Sequence, residues 1–143
     1  MPNIRFATSS DWPFWHTLDK RISHALFLRK VEAGECYVAE QSGVSVGLLR
    51  WNRFWDEVPF CTLLYIEGPR RAQGLGRALV ARWEEDMRAL GHGMAMTSTQ
   101  SDEDAQYFWR ALGYRDAGSF DIAIPGYEQP PELIMLKDLR KET

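Results

Sequence analysis

Apolar residues recur along the chain with two periods, which predict an alternation of strands and helices. A period of two, or a short continuous apolar run, is typical of a strand. Such stretches are Asn3–Ala7, Glu35–Gln41, Val44–Asn52, Phe60–Glu67, Met94–Thr99, Gly113–Ile124 and Glu132–Leu139. Apolar spacings of three and four residues are typical of helices. They predict helices at Ser9–Lys20, Ile22–Gly34, Gly74–Leu90 and Asp102–Leu112.

The order and connections of these elements predict an α/β fold with a mixed sheet. Ser42-Gly43 joins two strand patterns as a hairpin turn does, and a loop, Arg53–Pro59, precedes the next strand. That strand, Phe60–Glu67, is followed by a helix and then another strand, and such a crossover makes the two strands parallel. No linker or repeat divides the chain, so residues 1–143 are predicted to form one domain.

Composition and charge argue against several classes of protein. The chain has 143 residues, with 17 Lys and Arg against 20 Asp and Glu, a net charge of −3. Nucleic acid is therefore an unexpected partner, and no stretch approaches the roughly 20 apolar residues that cross a bilayer. The first residues show no basic segment followed by an apolar run, so a cytoplasmic protein without a membrane partner is expected.

The cysteines and histidines give no metal-binding pattern. Cys36 and Cys61 lie in separate strand-like runs, where reduced core residues are expected. Neither cysteine has a second Cys or His at zinc-ligand spacing, so no metal is predicted. Six Trp are present, several of them in polar surroundings. They offer aromatic surface for a ligand.

The segment Gly68–Arg77 joins a strand to the longest predicted helix and has the composition of an anion site. Glycines let a ligand approach the backbone closely, and the N–H groups at a helix start attract phosphate. Arginines add positive charge in a slightly acidic chain. A P-loop would need Gly-Lys-Ser/Thr, but Leu75 follows Gly74. A dinucleotide fingerprint would need Gly or Ala at position 79, which is Leu.

The segment resembles the pyrophosphate loop of the GNAT N-acetyltransferases. The matching residues are Arg71-x-x-Gly74-x-Gly76, placed after the strand Leu63–Ile66 and opening a helix. The resemblance extends to Thr97–Tyr114, where a strand leads into a helix that ends in Gly113-Tyr114. The predicted order of elements agrees with that fold over almost the whole chain.

The resemblance implies a fold, a cofactor and a set of binding residues. The sheet would be mostly antiparallel, with six or seven strands, helices on both faces and a splayed parallel β-α-β unit at its centre. Acetyl-CoA would be the acyl donor, and the backbone of Leu64 and Ile66 would bind its pantetheine arm, with the Leu64 N–H facing the thioester oxygen. The pyrophosphate would be bound by Arg71, Ala72, Gln73, Gly74, Leu75, Gly76 and Arg77.

Two positions depart from the family pattern in the second segment. Asp102 stands where Asn is usual, and Trp109 stands where Tyr is common. Both are expected near the cofactor. An indole N–H is not a usable proton source near neutral pH, so Trp109 would orient the thioester without serving as its acid. The sequence does not decide which residue is the general base. Strand alternation puts Tyr65 and Glu67 on one face beside the pantetheine arm, and both are candidates.

The predicted loop around residues 51–60 is the candidate acceptor site. It combines Trp51 and Trp55 with Asp56 and Glu57, and aromatic faces with carboxylates suit a cation. Asp56 would bind a second, non-reacting amine of the acceptor. Trp15, on the first helix, would form the opposite wall. The alternative is that these aromatics cap the core or form a dimer contact, and a homodimer is one expected assembly.

The sequence thus predicts an N-acetyltransferase in which a small, cationic primary amine attacks acetyl-CoA directly in a ternary complex. Two alternatives stay open. One is a non-catalytic acyl-CoA sensor, favoured by Trp109 and by the absence of an obvious base. The other is an acetyltransferase acting on protein N-termini or lysines.

Overall fold

The computed structural model of the chain describes residues 2–71 and 73–140. Within these residues the strands are β1 (Asn3–Phe6), β2 (Cys36–Gln41), β3 (Val44–Phe54), β4 (Val58–Ile66), β5 (Met94–Gln100), β6 (Arg115–Phe120) and β7 (Glu132–Asp138). The α-helices are α1 (Trp12–Leu18), α2 (His24–Glu32), α3 (Leu75–Ala89) and α4 (Ala105–Ala111). Single 3₁₀ turns at Ser9–Asp11 and Gly68–Arg70 precede α1 and α3. The order of strands and helices is the one predicted from the sequence.

The seven strands form a sheet in the order β1-β2-β3-β4-β5-β7-β6. β4 and β5 are parallel, with Phe60 opposite Met96 and Cys61 opposite Thr97. The pairs β1–β2, β2–β3, β5–β7 and β6–β7 are antiparallel. The predicted mixed, mostly antiparallel α/β fold is therefore confirmed.

The chain forms two compact units. The first comprises residues 1–52 and 62–85, and the second comprises residues 53–61 and 86–143. Strands β3 and β4 each contribute residues to both. The prediction of one domain stays a prediction.

In the first unit, β3 has helices on both of its faces because its apolar residues alternate between them. Leu48 belongs to a buried cluster with Trp15 of α1 and Phe27 of α2. Trp51 lies on the opposite face of β3, where its ring centroid is 6.4 Å from that of Trp83 in α3. Since successive strand residues point to opposite faces, the continuous apolar run of β3 fits a strand buried on both sides.

Gly47 lets the end of β4 pack closely against β3. A Cβ built on Gly47 would lie 2.6 Å from Cδ1 of Ile66 and 3.2 Å from the carbonyl oxygen of Tyr65. One residue after the end of β4, the Glu67 N–H donates to the Val46 carbonyl at 2.8 Å. These contacts fix the backbone at the point where β4 ends.

A salt bridge links β1 to the 3₁₀ turn that precedes α1. The Arg5 guanidinium donates to both carboxylate oxygens of Asp11, at 2.8 and 2.9 Å, and the Thr8 N–H donates to the same carboxylate at 2.8 Å. Asp11 is buried. The hydrogen bonds from Arg5 hold the pKa of Asp11 below its usual value.

The second unit is organised around β5 and β7. The Thr97 hydroxyl donates to the Cys61 carbonyl at 3.0 Å, next to the parallel pairing. Trp109 of α4 is buried and meets Tyr114 edge to face, with 4.9 Å between ring centroids. Helix α3 ends at Ala89, one residue before the predicted end, and Gly91 follows with a φ of +92°. A left-handed residue at that position is the common way to stop a helix.

The predicted loop at residues 53–59 is wrong: the structure has a tight hairpin there. β3 continues to Phe54 and β4 begins at Val58, which leaves a three-residue connection. The Glu57 N–H donates to the Phe54 carbonyl at 3.1 Å, while Trp55 and Asp56 have φ of +58° and +59°. This is the turn type whose twist matches paired strands. The sequence did not reveal it because Gly and Asn, the usual residues, are missing from the turn.

Two later elements are shorter than predicted. Helix α4 begins at Ala105 rather than Asp102, because residues 101–104 form a turn held by the Gln106 side chain, which donates to the Ser101 carbonyl at 2.9 Å. Strand β6 covers Arg115–Phe120 rather than Gly113–Ile124. Gly113, with φ of +96°, ends α4 instead of starting a strand.

Both cysteines are buried in the core and form no disulfide within the described residues, in agreement with the prediction of reduced core residues. Cys36 is 1% exposed and Cys61 is 2% exposed. Burial raises the pKa of the Cys36 thiol to about 12. No helix in the described residues is long and apolar enough to cross a membrane.

The Arg5–Asp11 salt bridge predicts an acid-dependent loss of stability. Because the pKa of Asp11 is lowered in the folded state, its contribution is complete above about pH 4, the unfolded value, and declines as pH falls through the folded value. Asp11→Asn should lower the free energy of unfolding by about 1–3 kcal/mol at pH 7. Urea unfolding should show this difference shrinking as the pH falls below about 4. A difference that is the same at pH 7 and pH 2 would contradict the assignment.

Candidate active site

The connection from β4 to α3, in the first unit, has the geometry of an anion-binding helix start. Gly74 has φ of +79°, and its carbonyl accepts the first helical hydrogen bond from Ala78 at 3.0 Å. Leu75 is buried and anchors the helix at its first residue. Backbone N–H groups of the first turn have no intrahelical acceptor and carry the positive end of the helix dipole. Gln73 and Arg77, on either side, are exposed.

The arginines of this connection have different surroundings. The Arg70 guanidinium donates to the Gln41 side chain at 2.8 Å, which ties the 3₁₀ turn to the end of β2. Arg71 is exposed, its Nε donates to the Ile66 carbonyl at 3.2 Å, and its guanidinium carbon lies 5.2 Å from the centre of the Tyr65 ring. Ala72, which the resemblance placed in the loop, lies outside the described residues.

The end of β4 presents the other predicted groups of the first unit. Leu64 and Ile66 are half-buried, and Tyr65 is 36% exposed. Glu67 follows the strand and is half-buried. Within residues 2–71 and 73–140 its carboxylate has no hydrogen-bond or ion-pair partner. Tyr65 and Glu67 are thus both available to a ligand.

The residues predicted from the second family segment lie in the second unit. Asp102 is exposed in the turn before α4. Trp109 is 3% exposed, and its packing against Phe108 and Tyr114 accounts for its burial without a ligand. Its contact with the cofactor stays a prediction.

Two of the predicted acceptor-site residues are core residues instead. Trp15 is fully buried, packs on Phe27 and donates its indole N–H to Asp19 at 3.1 Å. Trp51 is 2% exposed and packs on Trp83. Neither indole has surface to offer a substrate, so the predictions of Trp51 in the acceptor-binding loop and of Trp15 in the opposite wall are wrong.

The other three acceptor-site candidates are together in the β3–β4 turn. Trp55 is 74% exposed, and Asp56 and Glu57 are exposed beside it. Asp56 and Glu57 line a cleft of about 720 Å³ in the second unit, together with Leu90 and His92 after α3. The sequence did not point to Leu90 and His92, because nothing in it shows that the end of α3 meets this turn.

The chain belongs to the GNAT acetyltransferases. The family model described as "Acetyltransferase (GNAT) family" matches residues 2–114, which include β1 to α4 and the glycine loop. The resemblance given by Arg71-x-x-Gly74-x-Gly76 is thereby confirmed. No curated protein sequence matches the chain significantly.

Solved structures of acetyltransferases share the fold. Ard1 from Thermoplasma volcanium superposes with a TM-score of 0.82 at 15% identity, over 96% of this chain and 97% of that one. The ribosomal-protein-S18-alanine N-acetyltransferase from Escherichia coli gives 0.78 at 17%, over 100% and 97%. The putative acetyltransferase yncA from Salmonella typhimurium, solved with its cofactor acetyl-CoA, gives 0.79 at 17%, over 100% and 96%.

The geometry of Gly74 predicts the effect of a side chain at the helix start. A Cβ on Gly74 meets no protein atom within 4 Å, so Gly74→Ala costs stability only through its left-handed backbone, about 1–2 kcal/mol. The added methyl would stand where a phosphate approaches the helix start, and calorimetry should show CoA affinity at least tenfold weaker, about 1.4 kcal/mol.

Gly43 supplies the matched control. Its φ is +78°, and a Cβ there also meets nothing within 4 Å, but it lies in the β2–β3 turn. Gly43→Ala should lose similar stability and keep the CoA affinity of the wild type. Equal CoA affinity in both variants would remove the pyrophosphate assignment.

Proposed function

We propose that the chain is an acetyl-CoA-dependent N-acetyltransferase that acetylates the primary amine of a small cationic acceptor. The observation that carries the proposal is the start of α3. There the left-handed Gly74 and the exposed Arg71 and Arg77 place backbone N–H groups and positive charge together in a chain of net charge −3. Such a site suits a diphosphate. The yncA structure shows that a protein of this fold binds acetyl-CoA.

In this proposal the cofactor lies along the end of β4. The pyrophosphate is bound by the N–H groups from Gln73 to Arg77 and by Arg71. The backbone of Leu64 and Ile66 binds the pantetheine arm as a neighbouring strand would. Acetyl-CoA supplies an acetyl group activated as a thioester.

The reaction is a direct transfer in a ternary complex. The lone pair of the acceptor nitrogen attacks the thioester carbonyl, a C–N bond forms, and the carbonyl oxygen becomes an oxyanion. The Leu64 N–H donates to that oxygen and stabilises the charge. The C–S bond then breaks, the amine loses a proton and the CoA thiolate gains one. A thiol with a pKa of about 8.5 leaves readily, so transfer is feasible without an acid at Trp109.

Glu67 is the proposed base. An alkylamine has a pKa near 10 and is mostly protonated at neutral pH, yet it must be neutral to attack. The Glu67 carboxylate lies at the end of β4 and has no partner among the described residues, so it is free to take the proton directly or through water. Tyr65, which strand alternation places on the same face as Glu67, is the alternative base.

The β3–β4 turn is proposed to recruit the acceptor. The carboxylates of Asp56 and Glu57 attract a cation, and the exposed Trp55 ring offers it an aromatic face. A diamine, a polyamine or an aminoglycoside has the multiple positive charges that such a turn would attract.

An acceptor panel tests the function. Release of free CoA thiol from acetyl-CoA is measured with diamines, aminoglycosides, peptides with a free N-terminus and lysine peptides. The proposal expects turnover with the small cationic amines. Turnover with peptides alone would favour a protein acetyltransferase. Tight CoA binding with no turnover on any amine would favour a sensor.

Asp56→Asn tests the role of the turn. Loss of a carboxylate that attracts the cationic acceptor should raise KM for diamines by about tenfold or more and leave kcat and CoA affinity nearly unchanged, as expected when uniform binding is lost. Asp121→Asn is the control, because Asp121 is also exposed in the second unit and the substitution changes the net charge equally. Equal KM values in both variants would reject recruitment by Asp56.

A further inference from the structure

Arg71 is held at two points by the end of β4. Its Nε donates to the Ile66 carbonyl at 3.2 Å, and its guanidinium lies over the Tyr65 ring, 5.2 Å from the ring centre. Its own backbone N–H donates to the Gly68 carbonyl at 3.3 Å, so the backbone is fixed as well. An exposed arginine otherwise samples many rotamers, and ordering it opposes ligand binding.

These contacts leave the anion-binding part of the guanidinium unused. A guanidinium has five N–H donors, and the bond to Ile66 uses the one on Nε. Within the described part of the chain, no carboxylate forms an ion pair with Arg71. The terminal amino groups, which bind phosphate oxygens in pairs, are therefore open to a ligand.

We propose that Tyr65 is a positioning residue for Arg71 in the binding of the cofactor's pyrophosphate. The face of the ring attracts the guanidinium and limits its rotation, so Arg71 is ordered before the cofactor arrives. This inference rests on the proposed use of acetyl-CoA. It gives Tyr65 a role through its ring, whereas a catalytic role would depend on its hydroxyl.

Substitutions that separate the ring from the hydroxyl test the proposal. Tyr65→Phe keeps the aromatic face and should bind CoA within twofold of the wild type. Tyr65→Leu removes the face and should bind CoA roughly threefold to tenfold more weakly in calorimetry. An equal loss of CoA affinity in Tyr65→Phe and Tyr65→Leu would overturn the proposal, because the hydroxyl and not the ring would then be responsible.

A double-mutant comparison separates positioning from a general structural role. In an Arg71→Ala background, Tyr65→Leu should change CoA affinity by less than twofold, because the residue through which it acts is gone. Binding of S-acetylpantetheine, which lacks the pyrophosphate, should be the same in all these variants. An additive loss in the double variant, or an equal loss for S-acetylpantetheine, would overturn the proposal.

A replacement variant and a wild-type measurement make the test conclusive even if one variant does not fold. If Tyr65→Leu fails to fold, Tyr65→Thr replaces it, since a β-branched residue suits a strand and also lacks the ring. CoA binding by the wild type is measured first. If the wild type does not bind CoA, both the proposed function and this inference are rejected. If the wild type binds CoA and neither Tyr65→Leu nor Tyr65→Thr weakens that binding, only this inference is rejected.

Discussion

The close approach of β3 and β4 at Gly47 is the constraint on which the candidate site depends. Because position 47 has no side chain, Ile66 packs directly over the β3 backbone, and the following residue, Glu67, is hydrogen-bonded to Val46. The last residues of β4 therefore have a fixed place. The carbonyl of Ile66 and the ring of Tyr65, which contact Arg71, are set by that packing, and so is the starting point of the connection that leads to α3.

The arginines after β4 have two different structural settings. Arg70 is bonded to Gln41 and stabilises the connection itself, whereas Arg71 and Arg77 are exposed at the helix start. In a chain of net charge −3, such a local concentration of positive charge is the part of the surface that attracts an anion. The structure thus uses one arginine to hold the loop in place and leaves the others for the ligand that the loop would bind.

The sequence predicted the order of elements and the glycine loop, because both depend on local patterns: apolar period, helix stops and the glycine spacing. It failed where the outcome depends on distant partners. Trp51 lies beside polar residues and reads as a surface aromatic, yet alternation from Leu49 places it on the face that α3 covers. Trp15 is buried for the same kind of reason, by α2. The tight turn at Trp55 and Asp56 was unpredictable from turn residues, because both adopt a conformation that glycine usually fills.

The burial of Cys36 has a consequence for chemical selectivity. Thiolates exchange readily with thioesters, and the thiolate is the reactive form of cysteine. Burial raises the pKa of the Cys36 thiol to about 12, so the thiolate is scarce at neutral pH, and the sulfur is enclosed by the core. Cys61 is enclosed likewise. A chain that handles an activated acyl group thereby keeps its own sulfur atoms from intercepting it, and the acyl group is reserved for nitrogen.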